Sequence, residues 1–583
     1  MSKLVRKSQL YEISKLSLRG FRRLSRPGKI VLSCYSISLA LIGILDAAGL
    51  ALLAHALSEV SESKLGLNND LLVTLLIVVS LFIFKSILAI YISFLGLKLL
   101  AREEVMLGQM ALNDIINTNW LKIRRIETSE VYSKVDRSPN TLIQSFLFLN
   151  ATIVSEAING ILIITLLFIF SPVTAVVTGL YFSLVTIIQH SALSKSASRS
   201  GQILAKEFET VYRLLNEFCN FGKVLRVMPS DSLQKSLVDS REFLAQARAR
   251  SAFLSSIPRY FMEAVLAFGC LLIFGIAYLE GGSNAVIPAV AIFTGAGFRL
   301  LPVVNRIQSL ILVLYSAYPL ARSYFSDSIR SQTDDVNCNQ TSDSLNDSLV
   351  QLKNVGFKYP DSHHLILVDI NLDFKLGNSY AIVGNSGSGK TTLAEVIIGL
   401  LPPTSGIRSI SKNIPVKFGY VTQDVPLLTG TIAQNIAMSW DSTDIDTNLI
   451  EEVVAATQLQ SVVEDFLLRD KTNSEIGLML SSGQRQRLGI ARALYQQTNC
   501  LILDEPSSSL DVGLEHELVE ILKVLKPKVT TITISHRLTT IQNADVIIYL
   551  ENGRVVSMGT FTELTKSSPA FRKMIELSFR QKE

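Results

Sequence analysis

Six apolar stretches between residues 30 and 320 set the terms for what this chain can fold into. They lie at about 30–57, 71–101, 141–170, 173–190, 258–279 and 285–320. Roughly 20 apolar residues cross a bilayer as a helix, and each stretch meets or nearly meets that length. Several exceed it, which predicts helices that continue into the cytosol. Residues 349–583 read differently, as an ordinary soluble α/β domain. With 48% hydrophobic and 18% charged residues segregated in this way, the disordered, collagen-like and disulfide-rich secreted classes are excluded. So is a purely soluble enzyme. Lys and Arg number 55 against 50 acids, a net charge of +5, too close to balance to suggest a nucleic-acid partner.

Charge sets the orientation. The first 29 residues carry nine basic side chains against the single acid Glu12, which places the N-terminus in the cytoplasm by the positive-inside rule. Segment 58–70 and the turns at Ser171–Pro172 and Glu280–Asn284 are poor in Lys and Arg, whereas 102–137 and 191–250 are long and basic. Six spans then leave both ends inside, with two large cytoplasmic extensions. Residues 1–29 read as an amphipathic helix on the inner membrane surface; their Arg- and Ser-rich composition also suits a mitochondrial transit peptide. Residues 30–326 form the membrane domain. Residues 327–348 shift to Ser, Asp and Asn and read as a linker. The sequons at Asn339 and Asn346 fall on the cytoplasmic side and read as chance matches. Cys34, Cys219, Cys270, Cys338 and Cys500 show no CxxC or Cys/His clustering, against a zinc site or disulfide framework.

The soluble part, 349–583, carries the chemistry. SYAIVGNSGSGKTT at 379–392 is a short strand, a glycine loop and a helix start. Gly384, Gly389, Lys390 and Thr391 satisfy GxxxxGK[ST]. In such a loop (Gly384, Asn385, Ser386, Gly387, Ser388, Gly389) backbone N–H groups curl around phosphate oxygens, helped by the helix N-terminus that leads into Thr392. Lys390 reaches the β/γ-phosphates and the Thr391 hydroxyl ligates Mg²⁺. The apolar strand Cys500–Leu503 ends in Asp504, placed to hold hydrated Mg²⁺, and Glu505, placed to deprotonate the attacking water.

Leu480-Ser481-Ser482-Gly483-Gln484 closely resembles the LSGGQ signature of ATP-binding cassette (ABC) proteins. The order of phosphate loop, signature, acidic strand end and then His536 is that family's order, and the resemblance covers essentially all of 349–580. It implies an α-helical membrane domain of six transmembrane helices plus an α/β P-loop ABC ATPase domain: half of an exporter-type transporter using ATP and Mg²⁺. By the same resemblance Tyr359 stacks on adenine, Gln423 contacts Mg²⁺, and Asp511 belongs to the nucleotide site. Ser481, Ser482, Gly483 and Gln484 close over ATP held by the other subunit, and His536 contacts its γ-phosphate. One chain cannot complete such a site, so the resemblance implies a homodimer or a heterodimer, with coupling helices near 112–138 and 205–228. The sequence departs from the family at Ser482, where a glycine is usual, and in the shortened stretch between Ser405 and Gly419. Asn473–Gly477 matches the family only loosely.

Charges inside the spans point to the cargo, since each costs about 2.5–3.5 kcal/mol at mid-helix. Lys85, Arg259, Arg299 and Arg306 are four cations with one nearby acid, Glu263. They either pair and snorkel, or form a cluster suited to phosphate or pyrophosphate. Residues 258–263 and 299–307 resemble PglK-type lipid-linked oligosaccharide flippases, which places these cations in a substrate cavity and implies a bacterial inner-membrane protein with its ATP domain in the cytoplasm. Two other readings stand beside this one. The first is an exporter of peptides, drugs or other lipids, which the roughly 29 residues before the first span weaken for peptides, since they hold no peptidase domain. The second is an ATP-binding regulator without turnover.

Overall fold

The computed structural model describes residues 2–62, 69–170, 172–228, 230–326, 339–342, 348–468, 480–506, 512–526 and 528–580. The chain divides into two compact units, one of Met1–Thr118 with Lys122–Ser331, the other of Asn119–Leu121 with Gln332–Glu583.

Among the described residues the first unit has six helices long and apolar enough to cross a bilayer: Arg26–Leu45, Leu76–Ile116, Thr128–Ile169, Ala175–Asn220, Asp231–Ile276 and Phe293–Ser323. Four of them run well past the apolar stretch that announced them, as their excess length predicted. The fifth and sixth spans run antiparallel, with Cys270 Sγ 3.3 Å from Thr294 Oγ1 and Ser309 Oγ donating to Ser255 O at 2.9 Å. Polar groups stitch the others: Tyr181 Oη donates to Val265 O at 2.7 Å and Gln308 Nε2 to Thr186 O at 2.8 Å. The first and third spans meet through Tyr35 and Phe148, whose rings stack at 4.6 Å.

The basic N-terminal segment is a helix, Ser2–Arg23, and part of its described apolar surface packs on protein while Tyr11 and Leu18 stay exposed. Ile13 and Leu16 are buried in one cluster with Leu142, Phe146 and Leu147 of the third span. Asn150 donates to Ser17 Oγ at 3.1 Å. The break before the first span falls at Leu24–Ser25, where the Ser25 hydroxyl and backbone N–H both bond Glu103. Ile13 and Leu16 thus tie the helix to the membrane unit, and the exposed Tyr11 and Leu18 leave it an apolar outer surface.

The second unit holds two sheets. The smaller has the order β1-β5-β2-β3, formed by β1 (Asn339–Ser342), β2 (Ser348–Phe357), β3 (Leu367–Lys375) and β5 (Ser405–Ser411). The larger runs β10-β9-β4-β8-β7-β6 and comprises β4 (Ser379–Val383), β6 (Phe418–Val421), β7 (Cys500–Asp504), β8 (Thr530–Ile534), β9 (Val546–Glu551) and β10 (Arg554–Gly559). Its four central strands are buried throughout or nearly so, as parallel strands covered on both faces must be. Two details bear on the sequence reading. The linker 327–348 contains β1, which pairs in parallel with β5 from Asn339↔Arg408 to Ser342↔Ser411. The shortened stretch after Ser405 still forms a seven-residue strand. Trp120 and Leu121, from the segment between the second and third spans, pack on this unit's core, and the Trp120 indole donates to Glu395 Oε1 at 3.3 Å.

Candidate functional site

Three parallel strands deliver the chemical groups of the second unit to one end of the sheet. β4 leads into the glycine loop, β7 ends at Asp504, and β8 is followed by Ser535 and His536. Gly384 sits where an added Cβ would overlap the Leu550 carbonyl oxygen, so only glycine fits. Gly389 caps the helix Lys390–Ile398 with φ +100°, a left-handed geometry that costs glycine little. Between them Asn385, Ser386 and Gly387 are exposed, while Ser388 is buried and its hydroxyl oxygen has no hydrogen-bond partner. Lys390 Nζ donates to Gly384 O at 2.9 Å and Asn385 O at 3.0 Å. Burial pulls the Lys390 ammonium below its usual pKa, against the pull of Glu505 and Asp504. A loop of exposed N–H groups, an orphaned hydroxyl and a partly desolvated ammonium fits a polyphosphate.

Asp504 faces this loop. Thr391 Oγ1 lies 3.5 Å from its Oδ1, and Tyr420 Oη donates to its Oδ2 at 3.2 Å. An acid and a hydroxyl side by side fit Mg²⁺. Burial holds the Asp504 carboxyl above the usual carboxylate range, although the Tyr420 and Thr391 hydrogen bonds oppose the shift. The folded state thus binds this proton more tightly than the unfolded chain. Stability falls as pH rises from the ordinary carboxylate pKa through the raised one, and the penalty is complete once Asp504 is ionised. Asp504→Asn is accordingly expected to raise the Tm of the nucleotide-free protein, by about 2–4 °C per kcal/mol recovered, while removing Mg²⁺-dependent hydrolysis. Thermal unfolding with and without Mg-ATP checks both; a lower Tm would mean that the two hydrogen bonds outweigh the buried charge.

Glu505 follows with φ +48°, a conformation that costs a non-glycine residue on the order of 1–3 kcal/mol and is typical of functional positions. Its N–H bonds Ile534 O at 3.0 Å. His536 Nε2 lies 3.3 Å from Glu505 Oε1. Burial, then Lys390, lowers the imidazole pKa, with Glu505 opposing. His536 is therefore a neutral donor at pH 7, holding the carboxylate in place without neutralising it.

Tyr359 is half-buried and packs on the core, its hydroxyl 3.4 Å from Thr392 Oγ1. Gln423 is exposed, and its backbone carbonyl accepts from Gln486 Nε2 at 2.7 Å. Gln486 belongs to the helix Ser482–Tyr495, for which Ser481 is the N-cap in a capping box with Gln484. Ser481 Oγ accepts from Gln484 N–H at 3.3 Å, so its own proton points elsewhere and remains a donor. Ser482 is simply the first helical residue, which a serine occupies without strain, and Gly483 is buried behind it. Asp511 and the stretch Asn473–Gly477 lie outside the described residues.

In the membrane unit, Lys85, Arg299 and Arg306 line one cavity of about 500 Å³. Arg259 does not line it: its side chain is 74% exposed and lies 3.6 Å from Glu263. Arg299 lies over the Phe82 ring at 5.5 Å. The same wall holds Glu156, 2.9 Å from Arg306, a residue missing from the sequence reading although an acid within an apolar span was a sufficient signal.

Residues 367–508 match the family model "ABC transporter". Over nearly its whole length the chain superimposes on a bacterial Atm1-family ABC exporter with ATP bound: TM-score 0.75, covering 94% of this chain and 99% of that one at 19% identity. The chain has the fold of an ABC exporter half-transporter. Among relatives, the chain is 37% identical over 241 residues to an ATP-dependent lipid A-core flippase of Ralstonia nicotianae. It is 31% identical over 332 residues to a beta-(1→2)glucan export ATP-binding/permease protein of Bartonella bacilliformis. The matches span 40% of this chain and 41% of the flippase, and 54% of this chain and of the glucan exporter.

Proposed function

We propose that the chain is one subunit of a homodimeric, ATP-driven flippase of the bacterial inner membrane, with its ATP domain in the cytoplasm. The cargo is a lipid-linked (polyprenyl-pyrophosphate) oligosaccharide or a similar amphipathic phosphate. The observation that carries the cargo assignment is the cavity shared by Lys85, Arg299 and Arg306. Cations within membrane spans are costly, and a dianionic phosphate group with a lipid tail suits both their charge and their setting. Flippase and glucan-export relatives support a glycan-bearing amphipath over peptides or drugs.

The ATP site supports turnover rather than silent binding. Lys390 and the glycine loop hold the phosphates. Thr391 and Asp504, with Gln423 alongside, would hold Mg²⁺, which when bound neutralises phosphate charge. Glu505 removes the proton of the attacking water, and neutral His536 keeps its carboxylate oriented. Ser481, Ser482, Gly483 and Gln484 contribute a helix N-terminus with a spare hydroxyl donor to ATP on the second copy, and Tyr359 and Asp511 complete the nucleotide contacts. A second copy is also supported by the short helix Gly222–Val227, which buries no residue and leaves Val227 81% exposed.

The test is flipping of a polyprenyl-pyrophosphoryl oligosaccharide in proteoliposomes with ATP. Replacing Lys85 and Arg299 together with Gln is expected to lower flipping at least about tenfold, since hydrogen bonds to charged groups contribute about 1.5–3 kcal/mol each. ATP hydrolysis should fall less. Equal loss of both would assign the two cations to folding, and ATP turnover by wild type without flipping would discard the cargo.

A further inference from the structure

Asp504 is held in place by a tyrosine that has no part in the chemistry described so far. Its carboxylate is buried, and each oxygen has a different neighbour. Oδ1 lies 3.5 Å from Thr391 Oγ1, while Oδ2 accepts from Tyr420 Oη at 3.2 Å. The strand register explains how Tyr420 reaches it. β6 and β7 run in parallel, with Tyr420 opposite Ile502 and Val421 opposite Leu503. Ile502 and Asp504 share one face of the sheet, because side chains repeat every two residues. Tyr420 stands on that face two residues short of Asp504, about 6.6 Å along the strand direction, a gap that a tyrosine spans and a serine or threonine does not. Its ring is half-buried against the core that also holds Ile382 and Ile502, so packing sets where the hydroxyl lies.

We propose that Tyr420 is a positioning residue for the cation of the ATP site, resting on the reading above that Asp504 and Thr391 hold Mg²⁺. The torsion that turns an aspartate's carboxylate is broad, so burial alone does not fix which oxygen faces the Thr391 hydroxyl. The Tyr420 hydroxyl does fix it. By donating to Oδ2 it keeps Oδ1 beside Thr391 Oγ1, the pair of oxygens that would take Mg²⁺. Mg²⁺ demands near-ideal octahedral geometry, whereas Ca²⁺ accepts irregular oxygen sets. The hydroxyl therefore contributes to the choice of Mg²⁺ over Ca²⁺ as well as to affinity, as outer partners that orient a ligating carboxylate do.

The test uses the full chain in lipid nanodiscs and titrates a non-hydrolysable ATP analogue in Mg²⁺, in Ca²⁺ and in EDTA, for wild type, Tyr420→Phe and Tyr420→Leu. Wild type should bind more tightly in Mg²⁺ than in EDTA. Tyr420→Phe keeps the ring and removes only the donor. It is expected to lose about tenfold in affinity in Mg²⁺, the lower end of what such a partner contributes, with a smaller loss in Ca²⁺ and none in EDTA. The Mg²⁺ concentration for half-maximal hydrolysis should rise with it, with little change in kcat at saturating Mg²⁺. Tyr420→Leu should match Tyr420→Phe in Mg²⁺ affinity and also lower the Tm, since it removes the packed ring. An unchanged Mg²⁺ affinity in Tyr420→Phe overturns the proposal and leaves Tyr420 a packing residue. A loss in Ca²⁺ or EDTA as large as in Mg²⁺ overturns it too, because it marks a general support of the site. A wild type that gains nothing from Mg²⁺ overturns the Mg²⁺ reading and this one with it.

Discussion

Glu505→Gln is expected to lower ATP hydrolysis by about 10²- to 10⁴-fold, the usual weight of a positioned general base, while leaving ATP binding in place. The geometry makes the two effects separable. The left-handed backbone at Glu505 and the bond from its N–H to Ile534 O fix where the side chain starts. The His536 contact at 3.3 Å fixes where it ends. A carboxamide has nearly the same shape and its oxygen still accepts from neutral His536, so the site keeps its form. It loses only the capacity to take a proton from water. Lys390, Ser388 and the glycine loop are untouched, so nucleotide binding by equilibrium titration should match wild type. Transport should stop with hydrolysis. Hydrolysis near the wild-type rate would remove Glu505 from the chemistry, and a parallel loss of nucleotide binding would make it a structural residue.

The second large effect is expected far from the phosphates. Arg408→Ala should destabilise the ATP-binding domain by about 2–5 kcal/mol, because it strands buried carbonyls that each cost about 1–3 kcal/mol unpaired. Arg408 is 1% exposed. Its Nε donates to Ile397 O at 2.9 Å, and its Nη2 to Ile397 O at 2.7 Å and Ile398 O at 2.9 Å. These carbonyls end the helix that begins at Lys390, where no intrahelical donor is left for them. The guanidinium also lies over the Phe418 ring at 5.6 Å. Burial lowers its pKa to about 10, so it stays charged at neutral pH and favours the negative end of the helix. Thermal unfolding is the readout, and Arg408→Lys should recover only part of the loss, since an ammonium lacks the planar fork. A shift below about 1 kcal/mol in Arg408→Ala would mean that water replaces the guanidinium.

The sequence announces what depends on neighbours in the chain. The phosphate loop, Asp504-Glu505 and the Ser481…Gln484 cap are legible because their spacing alone produces the geometry: a glycine turn into a helix, an acid at a strand end, a hydroxyl three residues before an amide. The spans are legible because lipid imposes a length. Arg408 and Glu156 are charges that read as ordinary until the fold brings a helix end or a cavity to them. Glu156 could have been flagged as an acid within an apolar run; nothing adjacent to Arg408 signals the carbonyls of Ile397 and Ile398. Of the four intramembrane cations, sequence could not tell that Lys85, Arg299 and Arg306 meet whereas Arg259 turns to Glu263, because that depends on how far each helix is rotated. β1 was hidden by composition, since Asn, Gln, Thr and Ser join β5 through backbone hydrogen bonds that any residue but proline can make.

That strand has a practical side. β5 has β2 on one flank and β1 on the other, so an ATP-binding domain cut at residue 349 would leave Arg408–Ser411 of β5 bare along one side. Open strand edges recruit other chains. The polar segment ahead of the domain therefore shields it from self-association, and a soluble fragment should start upstream of Asn339 to keep that cover.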